Sequence, residues 1–234
     1  MLTFDYAYFL TVLPKLAAAL PYTFGVIAVS ALLGLAAGFV VAAVRIARTP
    51  VLAKVTDVWL SFVRSMPFVL LMFLVYFTLP VLLGMAGIGN GLPKLVYVFA
   101  AMILAYAPVL AEVMRPAYLA VDKGQQEAAL AFGLSQWQCV RRIIIPQALP
   151  IALPGLVNQL IEIVKDTSLI YMLGMMDLMG RANLLIHLHQ GRGKLEVYIA
   201  VGILYWIIIG VLELLAAYVN RRAGMKHDLE GRVA

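Results

Sequence analysis

The chain is poor in charge. Asp, Glu, Lys and Arg make up 13% of its 234 residues, about half the share found in an ordinary soluble domain. Hydrophobic residues make up 64%. Together these exclude a disordered chain and a nucleic-acid-binding one. Cysteine is almost missing: a lone Cys139 cannot close an internal disulfide and says nothing about redox compartment. There is no internal repeat and no low-complexity tract. A nucleotide-binding loop is missing too. The nearest segment, Gly191-Arg192-Gly193-Lys194-Leu195, has no hydroxyl after its lysine and Leu188 at the first glycine position.

What is present is more apolar sequence than a soluble interior can hide, with mean hydropathy +0.96. A bilayer accepts the excess, and one helical crossing needs about 20 residues. The length therefore allows about five or six crossings and no sizeable soluble domain. The net charge of +6 fits cytoplasmic loops rich in Lys and Arg.

Charge-free runs locate the crossings. Lys15 and Arg45 bracket 29 uncharged residues. That is too long for the apolar core of a secretory signal, and MLTFDY lacks a basic start. The expected spans are about residues 19–44, 65–83, 95–114, 143–165 and 196–219. Residues 1–18 form an outer or interfacial segment, 19–222 the membrane domain and 223–234 a cytoplasmic tail. GMAGIGNGLP reads as a turn. Pro146, Pro150, Pro154 and Gly155 predict a kink or break in the first half of span 4. Twelve basic residues fall on one side of this map and six on the other. The richer side is the cytoplasm, which puts the N-terminus outside and the C-terminus inside.

Loop 115–142 carries the most information. Asp122 is placed to cap a short helix through Glu127-Ala128-Ala129. Gly133 permits a left-handed turn after it. Ser135 is placed to cap a second helix with Trp137, Arg141 and Arg142, before Pro146 starts span 4. Two short helices under a membrane domain make a docking knob, though any long loop can also fold into surface helices.

Glu127-Ala128-Ala129, Gly133 three residues later, and Ile143-x-Ile145-Pro146 after nine more resemble the EAA motif of ATP-binding-cassette (ABC) importer permeases. Ile145 stands where Leu is usual. Arg64-Ser65-Met66-Pro67, Gly124-Gln125-Gln126 and Lys165-Asp166-Thr167-Ser168-Leu169 are similar to motifs of the polar amino-acid (histidine/glutamine) group. Arg115-Pro116-Ala117 departs from that group's pattern. The resemblance implies an all-α type I importer transmembrane domain. It implies a second permease subunit, identical or a paralogue, two ABC ATPase subunits and a solute-binding protein. ATP and Mg would be bound by the partners, with no cofactor in this chain. Glu127, Ala128, Ala129, Gly133 and Arg141 would then couple to the ATPase, while Arg64 and Pro67 would be structural or line the path.

Ionisable residues at membrane depth often mark pathways. Asn158, Glu162, Lys165 and Asp166 recur at helical spacing and share one face. Glu162 is suited to a substrate ammonium, and backbone N–H groups opening a helix at Asp166-Thr167-Ser168 to its carboxylate. Alternatively, Glu162 only pairs with Lys165. Glu112, structural or lining the path, is expected to meet Arg115, three residues on, and Glu213 to meet partner helices or snorkel. His187 and His189 lack further ligands at metal spacing. The expected function is the permease subunit of an ATP-driven amino-acid importer, with cystine or another sulphur amino acid as the alternative cargo. An ion-coupled secondary transporter is the reading of a different class.

Overall fold

The structure is a computed structural model. It describes residues 4–47, 50–88 and 91–230, without the side chains of 220 and 222–230. Arg48, the Gly89-Asn90 part of the expected turn, the side chains of Arg222 and Lys226, and Arg232 lie outside the described residues.

The described chain is helical, without a strand. Helix α1 is Tyr6–Ala17, α2 Leu20–Ile46, α3 Pro50–Arg64, α4 Phe68–Met85 and α5 Lys94–Leu119. Helices α6 (Lys123–Ala131) and α7 (Gln136–Cys139) precede a π turn, Val140–Ile144, and α8 (Ile145–Thr167). A 3-10 turn, Ile170–Leu173, leads to α9 (Leu178–Leu188) and α10 (Lys194–Glu230). Five stretches are long and apolar enough to cross a membrane: α2, α4, α5, the continuous run Gln136–Thr167, and Lys194–Val219 of α10. The 18 residues of α4 rise about 27 Å, close to the thickness of a bilayer's hydrocarbon core. This helix is apolar on every face, and only Leu71 and Met72 are buried, as suits a surface that meets lipid or other helices.

Two compact units divide the chain. The first comprises Met1–Leu33, Pro67–Met102 and Ile161–Leu212. Its core joins α1, α9 and the start of α10 through Val12, Leu16, Leu178, Ala182, Leu185, Ile186, Val197, Ala200 and Val201. Asp5 caps α1 by accepting the Tyr8 N–H, and its own N–H donates to Glu196. Thr23 accepts the Leu178 N–H at 2.9 Å and so ties α2 to the start of α9.

The second unit comprises Gly34–Met66, Ile103–Leu160 and Glu213–Ala234. Gly34 and Gly38 let α2 approach α5 closely. A Cβ at Gly38 would lie 2.9 Å from the Leu110 Cβ and 3.1 Å from the Ala107 carbonyl, so the missing side chain sets the helix separation. Val41, Ala42 and Ala111 continue this contact, with Trp59 and Met114 packed beside them. The Trp59 indole N–H donates to the Leu104 carbonyl at 3.1 Å.

Three expectations need correction. Span 4 is not broken at its prolines: α8 is continuous through Pro150 and Pro154. The irregularity lies upstream, in the π turn, where the Ile145 N–H reaches back to the Val140 carbonyl. Pro146 has no N–H for the Arg142 carbonyl, and a widened turn accommodates that missing bond without ending the helix. For the same reason the second loop helix is not separate from span 4. Helix α5 also runs through Arg115 and Pro116 to Leu119, beyond the expected end near residue 114.

Candidate docking knob and span 4 polar face

The loop after α5 is built by local capping. Asp122 accepts the Gly124 N–H at the start of α6. At its end the Leu134 N–H bonds the Ala129 carbonyl and the Gly133 N–H bonds the Leu130 carbonyl, which is a Schellman closure. That closure needs Gly133 at φ +82°, a left-handed conformation that a Cβ disfavours. Ser135 and Gln138 form a reciprocal capping box on α7. Beneath them Ala129, Cys139 and Ile144 make a small core, with Tyr118, Val121, Leu134, Val140, Ile143 and Ala148 against it.

This core orients what remains outside. Glu127, Ala128 and Arg141 are exposed, whereas Ala129 is buried and packs the knob itself. Phe132 is 87% exposed and Trp137 61%. A large apolar side chain such as Phe132 held outward on a capped scaffold marks an interaction surface. An apolar groove of about 760 Å³ is lined by α2, the end of α5, α7 and the start of α8, with Ala36, Ala43, Ala117, Ala148 and the knob's own Trp137 in its walls. Its lining offers almost no polar groups, so it is unsuited to a zwitterion, whose charges need partners when they leave water.

The ionisable residues are placed differently from expectation at two points. Glu112 pairs with Arg64 at 2.7 Å rather than with Arg115. Helix α5 stays regular through Pro116, and the end of α3 presents Arg64 to the Glu112 carboxylate. The Nε of Arg115 is buried and has no hydrogen-bond partner. Pro67, in an extended conformation, directly precedes α4.

The second correction concerns Asp166-Thr167-Ser168. No helix opens there; α8 closes there. The Ser168 and Leu169 N–H groups bond the Lys165 and Asp166 carbonyls, and the Thr167 hydroxyl bonds the Val164 carbonyl. The donors are used, and a helix C-terminus carries a partial negative charge, so this end favours an ammonium over a carboxylate. Glu162 and Lys165 do pair, at 2.8 Å. Both remain about half exposed, and Asn158 is exposed on the same face one turn earlier. Glu213 is exposed on α10.

Sequence reasoning missed Asp177 and Glu196. Asp177 is fully buried and caps α9 by accepting the Met179 and Gly180 N–H groups. Burial pushes its carboxyl up from 3.8 to about 6, against the lowering effect of those bonds. An Asp just ahead of an apolar run was the available signal. Glu196 is buried and accepts the Asp5 N–H from 191 positions away, a contact no local pattern announces. His189 bonds the Leu185 carbonyl and meets the Tyr8 ring edge-on. Among the described residues no cluster of metal-ligating side chains occurs.

Comparison with known proteins agrees with this architecture. The chain is 38% identical over 201 residues to the L-cystine transport system permease protein TcyL of Bacillus subtilis (strain 168), covering 86% of this chain and 83% of that one. It is 31% identical to the probable amino-acid ABC transporter permease protein PatM of Vibrio harveyi, covering 89% and 92%. Its fold matches a chain in the crystal structure of an amino acid ABC transporter with histidines, with TM-score 0.78 and 24% identity over 94% of this chain and all of that one. The profile of the family described as binding-protein-dependent transport system inner membrane component matches residues 30–225. With that match over most of its length and five stretches able to cross a membrane, the chain belongs to this family of inner membrane permease components.

Proposed function

We propose that the chain is the membrane-spanning subunit of an ATP-driven amino-acid importer and works by alternating access. Its family and its amino-acid relatives support this reading. They displace the ion-coupled secondary transporter as an alternative. The chain is not itself the ATPase; hydrolysis belongs to partner subunits, which would bind ATP and Mg. The capped knob with outward Phe132 is the observation that carries the coupling role. It offers an ATPase subunit a rigid apolar plug, with Glu127 and Arg141 also exposed. A second permease subunit, a second ATPase and a solute-binding protein complete the assembly.

The exposed Asn158–Glu162–Lys165 face of α8 would turn toward the path rather than lipid. A charged group facing lipid near mid-membrane costs about 2.5–3.5 kcal/mol on insertion scales. Glu162 and the carbonyl end of α8 suit the ammonium group common to all amino acids, and Lys165 suits the carboxylate. The cargo is therefore read as an amino acid as a class, with L-cystine within it.

The test is reconstitution. Gly133→Val forces a β-branched residue into a left-handed turn, at a cost of about 1–2 kcal/mol. Glu127→Lys reverses the charge at the knob. Both variants should reach the membrane yet lose amino-acid-stimulated ATP hydrolysis and uptake, whereas Gly133→Asn, which tolerates that conformation, should retain both. Normal coupling in Gly133→Val or Glu127→Lys would remove the docking assignment.

A further inference from the structure

A side-chain hydrogen bond ties the docking helix α6 to span 4. Gln147, on the first turn of α8, donates one amide N–H to the Gln125 side-chain oxygen on α6 at 2.6 Å. The same nitrogen donates to the Ile143 carbonyl of the π turn at 2.9 Å. A carbonyl only accepts, so the Ile143 contact fixes which end of the Gln147 amide faces inward. With both amide hydrogens committed, the Gln147 side chain is held in this orientation. Gln125, in turn, must present its oxygen.

We propose that Gln147 is a positioning residue. With Gln125 it forms a strut that carries a displacement of α6 across the π turn into span 4. This deepens the docking reading and rests on it. Three observations support it. The strut joins α6 directly to α8, whereas the capping bonds of α6 and α7 stay within the loop. It is fastened at the π turn, where i→i−5 bonding makes the helix locally deformable. And the bond lies at the surface, outside the small Ala129–Cys139–Ile144 core that holds the fold, so its loss need not unfold the knob.

The donor assignment makes the proposal sharp. Gln125 needs only an acceptor, so Gln125→Glu keeps the strut. Gln125→Leu and Gln147→Leu each remove it. Both leucine changes break the Gln125–Gln147 bond, and Gln147→Leu also loses the Ile143 bond, so the double variant should be no worse than Gln147→Leu alone.

The assay uses proteoliposomes holding the permease with its ATPase subunits. ATP hydrolysis is measured with and without the solute-binding protein loaded from a mixture of the twenty amino acids and L-cystine. The stimulation ratio should fall about fivefold or more in each leucine variant and in the double, a typical coupling between sites. Gln125→Glu should stay close to the unmodified protein, and every variant should co-purify with the ATPase. The proposal is overturned if either leucine variant keeps its stimulation, if Gln125→Glu falls as far as Gln125→Leu, or if the two losses add. It is also overturned if the leucine variants lose the ATPase itself, because the pair then serves assembly alone. Failure of the unmodified chain to hold an ATPase would instead bring down the docking reading, and the strut with it.

Discussion

At the scale of residues, one electrostatic feature is not required by any transport argument. Asp177 is buried as a helix cap, and no ion pair to it occurs among the described residues. Its carboxyl is raised from 3.8 to about 6. Between those values the folded protein holds a proton that the unfolded chain releases, so stability falls as pH rises from about 4 to about 6. The shift corresponds to about 3 kcal/mol at ~1.36 kcal/mol per pKa unit. Thermal unfolding in detergent should show this slope, and Asp177→Asn, which keeps an acceptor for the cap, should flatten it. An unchanged slope in the Asn variant would assign the pH dependence to other groups. The exposed pairs Arg64–Glu112 and Glu162–Lys165 are a contrasting case. Half or more of each pair's surface meets solvent in the single chain, and such pairs contribute about 0–1 kcal/mol. Their value lies in where they hold charge.

Among the elements, α2 and the run from α7 to α8 show opposite uses of small and rigid residues. Glycine on α2 serves packing. A methyl at Gly38 meets the Leu110 Cβ and the Ala107 carbonyl, neither of which can turn aside, while a methyl at Gly25 meets nothing within 4 Å. Gly38→Ala should therefore destabilise by about 1–3 kcal/mol. Gly25→Ala should be neutral or stabilise by about 0.5–1 kcal/mol through helix propensity. Melting of the two variants in one detergent compares them directly, and equal melting points would contradict the close crossing. Proline in α8 acts differently. The spacing of Pro146, Pro150 and Pro154 predicts a kink or break; the break does not occur, because the missing donor at Pro146 is accommodated by one π turn and the helix runs on. A pattern of prolines shows that hydrogen bonds are missing. Where the backbone adjusts depends on neighbouring packing, here on Val140, Ile143 and Ile144 beneath α6.

At the scale of the whole molecule, the open quantity is orientation across the membrane. Twelve of the eighteen basic residues fall on the side that also carries the knob. If that side is cytoplasmic, a reporter fused after Arg222 should be active only in the cytoplasm, and one fused within the α9–α10 connection only outside. Activity with the reverse sidedness would invert the map and take the knob away from any ATPase.

The five crossings and the knob's caps were legible in the sequence because their causes are local or compositional. A long uncharged run must enter lipid. Asp122, Gly133 and Ser135 act on backbone groups within a few residues of themselves. The EAA-like spacing through Glu127 and Gly133 added the family. Tertiary structure alone decided the partners of the charged and amide groups. Glu112 found Arg64 48 positions away, Glu196 found Asp5 across 191, and Gln147 found Gln125 across 22. A side chain's local spacing offers it neighbours three or four residues on, as it did for Glu162 and Lys165. Which distant group displaces such a neighbour depends on how helices pack, and packing is set by the combined fit of many apolar contacts that no short stretch of sequence contains.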